Sequence, residues 1–480
     1  MRLAADEPAR SSPPPGSGGG AAGAASPAGD ESLRRAMDRA LRNTIGDALR
    51  RAARKHRDRI ALHFGDRRWT YAELDAAATR LARWLKGRGL EPGDRVAALG
   101  RNSDTYVLLF LACARAGFVH VPINFMLTGR ELLYIVNQSG SRALFFDAQL
   151  EPAVAEVRDQ AVAEIYGTME SLLDAVRTPS AGSGTATAAV GDETDGGAFD
   201  GVREDQVVQL LYTSGTTAAP KGAMMTHRAL MAEYLSCIVE LDIQRHDRCL
   251  HALPLYHSAQ MHVFLMPQLL VGATGWILSA PVPEVCLPLI ARERITSMFA
   301  PPTVWINFLR HPDFDRHDLS SLKKLYYGAS IMPVPVLQEL RRRLPGVEVY
   351  NCYGQSEIAP LATVLRPEEH DARPASAGRP VLHVETRVVN PEMRDVPPGQ
   401  LGEIVHRSPQ LGGLLGQARG DGGGLPRRLV PLGGPGLHGR RGLPLRGGPH
   451  QGRDQHRRRP GGQPGGGGGP LHPPRRGRWR

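Results

Sequence analysis

Strand-like and helix-like segments alternate along most of this chain. Runs such as IALHF at residues 60–64 are typical of buried strands, and apolar residues recur at helical spacing between such runs. The other strand-like runs lie at residues 96–100, 119–124, 250–255, 298–302, 322–330 and 347–354. Strands that alternate with helices form parallel sheets covered by helices on both faces. The pattern therefore predicts an α/β fold.

Two helix starts can be placed along the first part of the chain. Periodic structure begins near Thr44, after which Ile45 and Leu49 recur at helical spacing. Residues 69–74 open a second helix that runs through Leu85. Thr70 is its expected N-cap, because Glu73 follows three residues later in the pattern of a capping box.

The charge of the chain is concentrated at one end. The net charge is +11, but residues 412–480 alone carry 14 arginines against two aspartates, a net +12, which leaves −1 for the remaining residues. A folded body this close to neutral argues against a nucleic-acid partner. The stretch Val263–Leu278 is short for a membrane span and is broken by Pro267, so no transmembrane segment is expected, although peripheral membrane contact stays open.

Cysteine usage points to a reducing compartment. The cysteines lie far apart with no C-x-x-C pair, a pattern that fits neither a zinc site nor a disulfide framework. The N-terminus also lacks the apolar core of a signal peptide. We therefore expect a cytoplasmic protein. The five cysteines are Cys113, Cys237, Cys249, Cys286 and Cys352.

A run of hydroxyl, glycine and lysine residues follows the strand-like residues 210–212. Small residues let the main chain approach an anion closely, while hydroxyls and a lysine supply donors and positive charge. The run is typical of a phosphate-binding loop, although its spacing is not that of a Walker loop. Composition alone favours a Ser/Thr/Gly linker. The residues concerned are Thr213, Ser214, Gly215, Thr216, Thr217 and Lys221.

A second polar run, YNCYGQSEI at residues 350–358, ends another strand-like segment. Its Glu357 offers hard carboxylate oxygens, which suit Mg²⁺ bound through one or two protein ligands plus phosphate. The alternative is a buried aromatic residue followed by a surface glutamate. Taken alone, His257 in PLYHSAQMH reads as a core histidine, and YYGAS at residues 326–330 reads as a turn that ends a strand.

Taken together and in order, these segments resemble the acyl-adenylate-forming (AMP-binding) superfamily, in its fatty-acid and acyl-CoA synthetase branch. ACARAGFVHVPIN (residues 112–124) resembles an early structural motif, and GEIVHRS (residues 402–408) resembles the strand before the ribose-binding motif. The chain departs from the family twice, with Ala218 in place of a glycine and Ser356 in place of a threonine. The resemblance covers about residues 44–411 and implies a large, multi-sheet N-terminal α/β domain.

The resemblance implies a role for each matching residue. Lys221, His257 and Glu357 would be catalytic, and Thr213 and Glu357 would hold Mg²⁺. His257 would lie near the entrance of the acyl pocket, and Tyr353 would stack on adenine. The residues that would bind the nucleotide are Thr213, Ser214, Gly215, Thr216, Thr217, Lys221, Gly328, Ala329, Ser330, Asn351, Cys352, Tyr353, Gly354, Gln355 and Ser356.

The activity that the resemblance implies is an acyl-CoA synthetase that uses ATP, Mg²⁺ and coenzyme A. A carboxylic acid would attack the α-phosphorus of ATP to give an acyl-adenylate, and CoA would then displace AMP. The segment YHSA carries no aspartate to pair with a substrate ammonium, whose unpaired burial would be costly, so an amino acid is disfavoured. We expect a medium- or long-chain fatty acid, with an aryl acid second. A stand-alone domain that loads a carrier protein is the alternative enzyme.

The chain is expected to comprise three regions. Residues 1–43 should be disordered, residues 44–411 should form the AMP-binding domain, and residues 412–480 should be a disordered Gly/Pro/Arg tail. The tail uses ten residue types and contains no isoleucine, phenylalanine, tyrosine or lysine. Residues 178–203 should be an exposed Gly-rich connection.

The tail departs from the family, which continues through a ribose-binding aspartate, a hinge and a small domain that carries the adenylation lysine. We hypothesise a shift of reading frame near residues 411–413, since the neighbouring frame permits family-like codons; a genuine basic tail is the alternative. Without the small domain, activity of this chain would be doubtful. An inactive protein that binds ATP or acyl-adenylate is therefore a third functional hypothesis.

Overall fold

The structure is a computed structural model that describes residues 33–34, 37–38, 40–177, 198–213, 220–411, 413–415, 430–438 and 444–446. Its helices are Ile45–Lys55, Tyr71–Gly87, Asp104–Ala116, Gly129–Ser139, Glu151–Val157, Met169–Arg177, His227–Glu240, Met266–Val271, Pro283–Glu293, Pro302–Arg310 and Val334–Arg343. A π-helical segment, Ala259–Leu265, precedes Met266–Val271. The α/β class predicted from the alternation is confirmed.

The strands are numbered β1 to β20 in chain order. They are β1 Ile60–Phe64, β2 Arg67–Thr70, β3 Arg95–Leu99, β4 Val119–Ile123, β5 Ser141–Phe146, β6 Ile165–Thr168, β7 Val207–Thr213, β8 Lys221–Thr226, β9 Arg248–His251, β10 Thr274–Ile277, β11 Ser297–Phe299, β12 Lys324–Gly328, β13 Glu348–Gly354, β14 Leu361–Leu365, β15 Arg379–Pro380, β16 Glu385–Val389, β17 Leu401–Arg407, β18 Gly413–Leu414, β19 Val430–His438 and β20 Pro444–Arg446.

Two mixed sheets form the body of the protein. One has the strand order β15-β14-β13-β12-β11-β9-β10-β1-β2, and the other has the order β18-β8-β7-β4-β3-β5-β6. Their interior strands pair in parallel, as the alternation predicts, for example β12 with β13 and β3 with β4. The outer strands β2, β14, β15, β8 and β18 are antiparallel to their neighbours, which was not predicted, whereas β6 at the remaining edge is parallel to β5. Antiparallel neighbours need only a short connection, so they can be added at a sheet edge without a crossover helix.

A third, four-stranded sheet is antiparallel throughout its described pairings and has the order β16-β17-β19-β20. The GEIVHRS segment lies in it as β17, as its apolar alternation suggests. This sheet follows β15 in the chain. The residues after its strand β17 lead towards the candidate site, which is described below.

The Asp104–Ala116 helix is the most deeply packed element, with every one of its residues buried. A helix that is apolar on all faces must be enclosed on all faces, and this one packs against Tyr71–Gly87, Ile45–Lys55 and Met169–Arg177. Its one buried acid, Asp104, forms an ion pair with Arg67 at 2.6 Å. This enclosed helix anchors the seven-stranded sheet that carries β7 and its loop.

Both predicted helix starts are confirmed, with one correction of boundary. Thr70 caps the Tyr71–Gly87 helix and forms a capping box with Glu73, and Thr44 caps Ile45–Lys55 in the same way with Asp47. Trp69, expected at the start of the second helix, instead lies in β2, where its indole N–H donates to Asp104 Oδ2 at 2.8 Å.

The predictions of disorder fall mainly outside the described residues, and where they can be compared they need correction. At the N-terminal side, described positions among residues 33–41 are helical, and Arg42 pairs with Asp47 at 2.8 Å. In the tail, residues 413–414, 430–438 and 444–446 are strands. Strand pairing uses the main-chain N–H and C=O groups, and every residue except proline supplies both. A tail built from few residue types can therefore still form strands.

The connection before β7 also needs correction. Residues 178–197 lie outside the described part, but the end of the connection is only partly exposed, because Phe199 and Val202 are each only 4% exposed and belong to the main core. The prediction rested on the Gly-rich composition of the whole connection, which outweighed the few apolar residues at its end.

Candidate functional site

The candidate site lies where the carboxyl ends of β7, β12 and β13 approach one another. β7 ends at Thr213, β12 at Gly328 and β13 at Gly354. Ligands of open α/β sheets bind at the carboxyl ends of parallel strands. The two sheets meet here through a hydrogen bond between Thr213 Oγ1 and Glu357 Oε1 at 3.3 Å, which joins residues 144 positions apart in the chain.

The predicted phosphate loop is held at both ends by a hairpin. Thr213 on β7 lies opposite Lys221 on β8 in the antiparallel register. Ser214, Gly215, Thr216 and Thr217 lie outside the described residues, so their predicted contacts stay predictions. Lys221 is exposed at the start of β8, and the carbonyl of Pro220 accepts a hydrogen bond from Tyr134 at 3.1 Å. The hairpin therefore holds Lys221 beside Thr213 and leaves its side chain accessible.

Glu357 lies in a tight turn after β13, which we call the Glu357 turn (residues 355–361). Residues Ser356–Ile358 form a single 3-10 turn, and the N–H of Gln355 donates to the carbonyl of Pro360 at 2.9 Å. This closure needs Gly354, since a Cβ there would lie 1.8 Å from the carbonyl oxygen of Pro360. The close main-chain approach presents Glu357 towards β7.

Ser356 is held by a second serine, Ser258, through an oxygen–oxygen distance of 3.1 Å. Ser258 is buried, whereas its neighbour His257 is exposed and its ring lies 4.4 Å from that of Tyr256. Desolvation of the imidazole lowers the pKa of His257, so it is neutral near pH 7. The structure thus brings the PLYHSAQMH segment and the Glu357 turn together, as the resemblance implied.

The predicted adenine turn follows β12. Gly328 lies opposite Cys352, and a Cβ at Gly328 would come within 2.3 Å of the Cys352 carbonyl oxygen, so only glycine fits this strand contact. Ala329 has a φ of 62°, a left-handed conformation that ends the strand sharply. Ala329 and Ser330 are exposed, so their main chain is accessible to a ligand.

The β13 residues differ in how far they reach the surface. The side-chain amide of Asn351 donates to the carbonyl of Ser376 at 2.8 Å and therefore fixes a neighbouring loop. Cys352 and Tyr353 are each 8% exposed. Burial raises the pKa of the Cys352 thiol, which therefore stays protonated. The Tyr353 ring lies 6.3 Å from that of His406, and its predicted stacking on adenine stays a prediction.

The residues present fit a magnesium ion bound mainly by phosphate. Thr213 and Glu357 bring a hydroxyl and a carboxylate oxygen within 3.3 Å of each other, and hard oxygen donors are those that Mg²⁺ prefers. Within the described residues, no group of three or more His, Cys, Asp or Glu side chains could hold a metal. Two protein oxygens with the remaining positions left for phosphate and water match the usual Mg²⁺–nucleotide arrangement.

The apolar residues expected near the acyl group are part of the core. Met261, Val263, Phe264, Leu265 and Met266 are each at most 3% exposed. Such residues are core-like for any substrate, so they do not by themselves identify the acid. Among the described residues, no helix is long and apolar enough to cross a membrane.

Three residues that contact the Glu357 turn were not proposed from the sequence. The sequence patterns single out His257 in the PLYHSAQMH segment, but not Ser258, Glu233 or Gln410. Glu233 is completely buried on the His227–Glu240 helix. The sequence does contain a sign of this buried acid. Glu233 lies among Leu230, Tyr234 and Cys237 on the apolar stripe of that helix, where a glutamate is unexpected.

Comparison with known proteins extends these observations. The model of the AMP-binding enzyme family matches residues 49–413. A feruloyl-CoA synthase of Amycolatopsis is 35% identical over 361 residues, which cover 75% of this chain and 69% of that enzyme. A fatty acid–[acyl-carrier-protein] ligase of Streptomyces coeruleorubidus, ScoC, is 31% identical over 71% of this chain and 64% of that enzyme.

Among solved structures, the inhibitor-bound N-terminal domain of FACL13 from Mycobacterium tuberculosis superposes with a TM-score of 0.74 at 25% identity. The match covers 85% of this chain and 99% of that domain. The expected multi-sheet architecture is thereby confirmed.

Proposed function

Because this chain belongs to the AMP-binding enzyme family, whose matching members are acid–thiol ligases, we propose that it activates a medium- or long-chain fatty acid with ATP and transfers the acyl group to CoA. The observation that carries the proposal is the contact between Thr213 and Glu357, which joins the phosphate-loop hairpin to the turn after β13. The contact sets a hydroxyl beside a carboxylate where the two sheets meet, and such hard oxygens suit a Mg²⁺ ion bound to phosphate.

The site residues divide the work of the first step. Lys221 and the Thr213 hairpin face the phosphates, while Ser356 and Ser258 offer hydroxyls to the α-phosphate or the acid carboxylate. An acid oxygen attacks the α-phosphorus, the bond to pyrophosphate breaks, and an acyl-adenylate remains. Thr213 and Glu357 would hold Mg²⁺, which would neutralise the phosphate charge. Alignment and charge neutralisation dominate such transfers, so no strong acid or base is required.

The second step needs only a thiol acceptor. The thiolate of CoA attacks the acyl carbon, and AMP leaves with the electron pair of the acyl–oxygen bond. His257, which is neutral and exposed beside Ser258, is proposed to lie where the acid enters. The compartment is proposed to be the cytoplasm, on the distribution of cysteines alone.

One observation favours a second acceptor. The chain is similar to ScoC, a fatty acid–[acyl-carrier-protein] ligase. This similarity supports a phosphopantetheinyl carrier protein as the alternative acceptor of the acyl group. Likewise, the 35% identity to a feruloyl-CoA synthase supports an aryl acid as the second choice of substrate.

Exchange of radiolabelled pyrophosphate into ATP, measured with a panel of fatty and aryl acids, tests the proposal. We expect exchange that depends on a fatty acid and falls by about two to three orders of magnitude in Glu357→Gln, the usual cost of losing one charge-stabilising group. CoA and a loaded carrier are then compared as acceptors of the same acid. Exchange with aryl acids alone would overturn the substrate assignment, and no exchange with any acid would overturn the activity.

A further inference from the structure

A buried polar cluster packs against the Glu357 turn. Glu233 is 0% exposed, and its Oε1 accepts hydrogen bonds from the N–H of Leu361 at 2.9 Å and from the Cys237 thiol at 3.3 Å. Gln410, which follows β17 and is 1% exposed, donates its side-chain amide to Glu233 Oε2. Residues from two distant parts of the chain thus meet at one turn.

Gln410 also contacts the main chain of the turn directly. Its amide nitrogen lies 3.3 Å from the carbonyl oxygen of Ile358 and 3.4 Å from that of Leu361. The oxygen end of this amide lies 3.3 Å from the Ser236 hydroxyl oxygen, which also lies 3.0 Å from the carbonyl oxygen of Ala232. The donor end of the amide is therefore directed at Glu233 and the turn.

The turn needs such support. Ala359 has a φ of 73° and is 1% exposed, and a residue other than glycine keeps a left-handed conformation only when its surroundings hold it there. Glu233 and Gln410 together bind the main chain on both sides of Ala359. The three-residue stretch that carries Glu357 is thus fixed at its C-terminal end from within the core.

The chemistry of Glu233 suits this role and no direct role in binding. Complete burial raises the pKa of Glu233 well above its ordinary value, while the hydrogen bonds from Leu361, Cys237 and Gln410 oppose that rise. All three groups donate to Glu233, so both carboxyl oxygens act as acceptors. Both of its oxygens are taken up within the core by Leu361, Cys237 and Gln410.

We propose that Glu233 and Gln410 are positioning residues that brace the Glu357 turn, and thereby keep Glu357 beside Thr213 and Ser356 beside Ser258. The brace itself is a property of the fold. Its effect on Mg²⁺ and ATP rests on the proposed function, so the two parts are tested by separate measurements on the full chain.

Hydrogen exchange of the main-chain amides of residues 355–361, in the chain without nucleotide, tests the brace. Glu233→Ala and Gln410→Ala should each speed exchange in this turn by about tenfold or more, because local opening governs exchange. Glu233→Gln keeps the shape and one acceptor oxygen for the Leu361 N–H but places an NH2 group against the Gln410 amide, so exchange should speed up less than in Glu233→Ala. Glu240→Ala, on the same helix but in a partly exposed ion pair with Arg366, is the matched control. Unchanged exchange in folded Gln410→Ala would overturn the brace.

Calorimetric binding of ATP with and without Mg²⁺ tests the effect on the site. Glu357→Ala should remove the gain in ATP affinity that Mg²⁺ gives, and Glu233→Ala should reduce it by about tenfold, with partial rescue in Glu233→Gln. The double variant Glu233→Ala/Glu357→Ala should match Glu357→Ala alone, since residues that act through one another are not additive. Additive losses would overturn the positioning role.

The two failures are distinguishable. If Glu357→Ala leaves the Mg²⁺ effect unchanged, the proposed function of Glu357 is wrong, while the exchange result still decides whether the brace exists. If Glu233→Ala does not fold, Gln410→Ala carries both measurements, and unchanged exchange together with an unchanged Mg²⁺ effect in it would refute the proposal.

Discussion

Replacing Lys324 with methionine should destabilise the fold by several kcal/mol, because it leaves a buried carboxylate without its cation. Lys324 begins β12 and is 5% exposed, and its partner Asp247 is 2% exposed. The ammonium lies 3.0 Å from Asp247 Oδ2, 3.2 Å from Oδ1 and 3.4 Å from Asp242 Oδ2. These contacts join β12 to the connection between the His227–Glu240 helix and β9.

The structure sets the magnitude. Removing one partner of a buried ion pair costs about 3–5 kcal/mol, most of it the penalty of the stranded charge. Asp247 keeps the main-chain N–H of Gln244 at 2.8 Å, so we expect the lower end, about 3 kcal/mol. The double variant Lys324→Met/Asp247→Asn removes the stranded charge and should recover about half of that loss.

Urea unfolding followed by pulse proteolysis measures the change as a shift in midpoint. Lys323→Met is the matched control, because Lys323 is the exposed neighbour and donates only one side-chain hydrogen bond, to the carbonyl of Ser320 at 3.2 Å; it should change stability by about 0.5 kcal/mol or less. ATP affinity in water should be unchanged, since the site lies at the other end of β12. A loss below about 1 kcal/mol in Lys324→Met would refute the reasoning.

Three further outcomes are expected. Ser258→Ala removes the partner of Ser356 and should raise the KM for the acid by about two- to tenfold with a smaller change in kcat, measured by pyrophosphate exchange. Gly354→Ala should lower the affinity for Mg²⁺-ATP by about tenfold or more, because its Cβ would lie 1.8 Å from a main-chain oxygen; Gly87→Ala, with nothing within 4 Å of the added carbon, should bind normally in the same calorimetric assay. Burial lowers the pKa of His227 from 6.5 to about 4. The contribution of the neutral imidazole to stability is therefore present above pH 6.5 and is lost as the pH falls towards 4. The free energy of unfolding, measured in urea, should decline over that window by up to about 3 kcal/mol, and less steeply in His227→Gln.

Local features of this fold could be predicted from the sequence, and long-range ones could not. The capping box of Thr70 and Glu73 is a pattern within four residues, so it is readable in the chain. The bracing of the Glu357 turn is not, because Glu233 and Gln410 lie 177 residues apart. The serine pair behind it, Ser258 and Ser356, is 98 residues apart.

The motifs expected to share one site lie close together in the structure, while the roles of their residues stay predictions. The signature loop and the segment of residues 350–358 were expected to share a nucleotide, and the structure brings Thr213 and Glu357 within hydrogen-bonding distance. The strands in residues 413–446 were missed, since main-chain pairing leaves little trace in a Gly- and Pro-rich sequence. The hypothesis of a shifted reading frame stays a prediction.

The most direct test of the account follows the oxygen of the acid. If the carboxylate attacks the α-phosphorus of ATP, an acid labelled with the heavy oxygen isotope must leave one labelled oxygen in AMP after transfer to CoA, as mass spectrometry of the isolated AMP would show. The account predicts label in AMP and none in pyrophosphate. Label in an inorganic phosphate product, or thioester formed while AMP stays unlabelled, would contradict it.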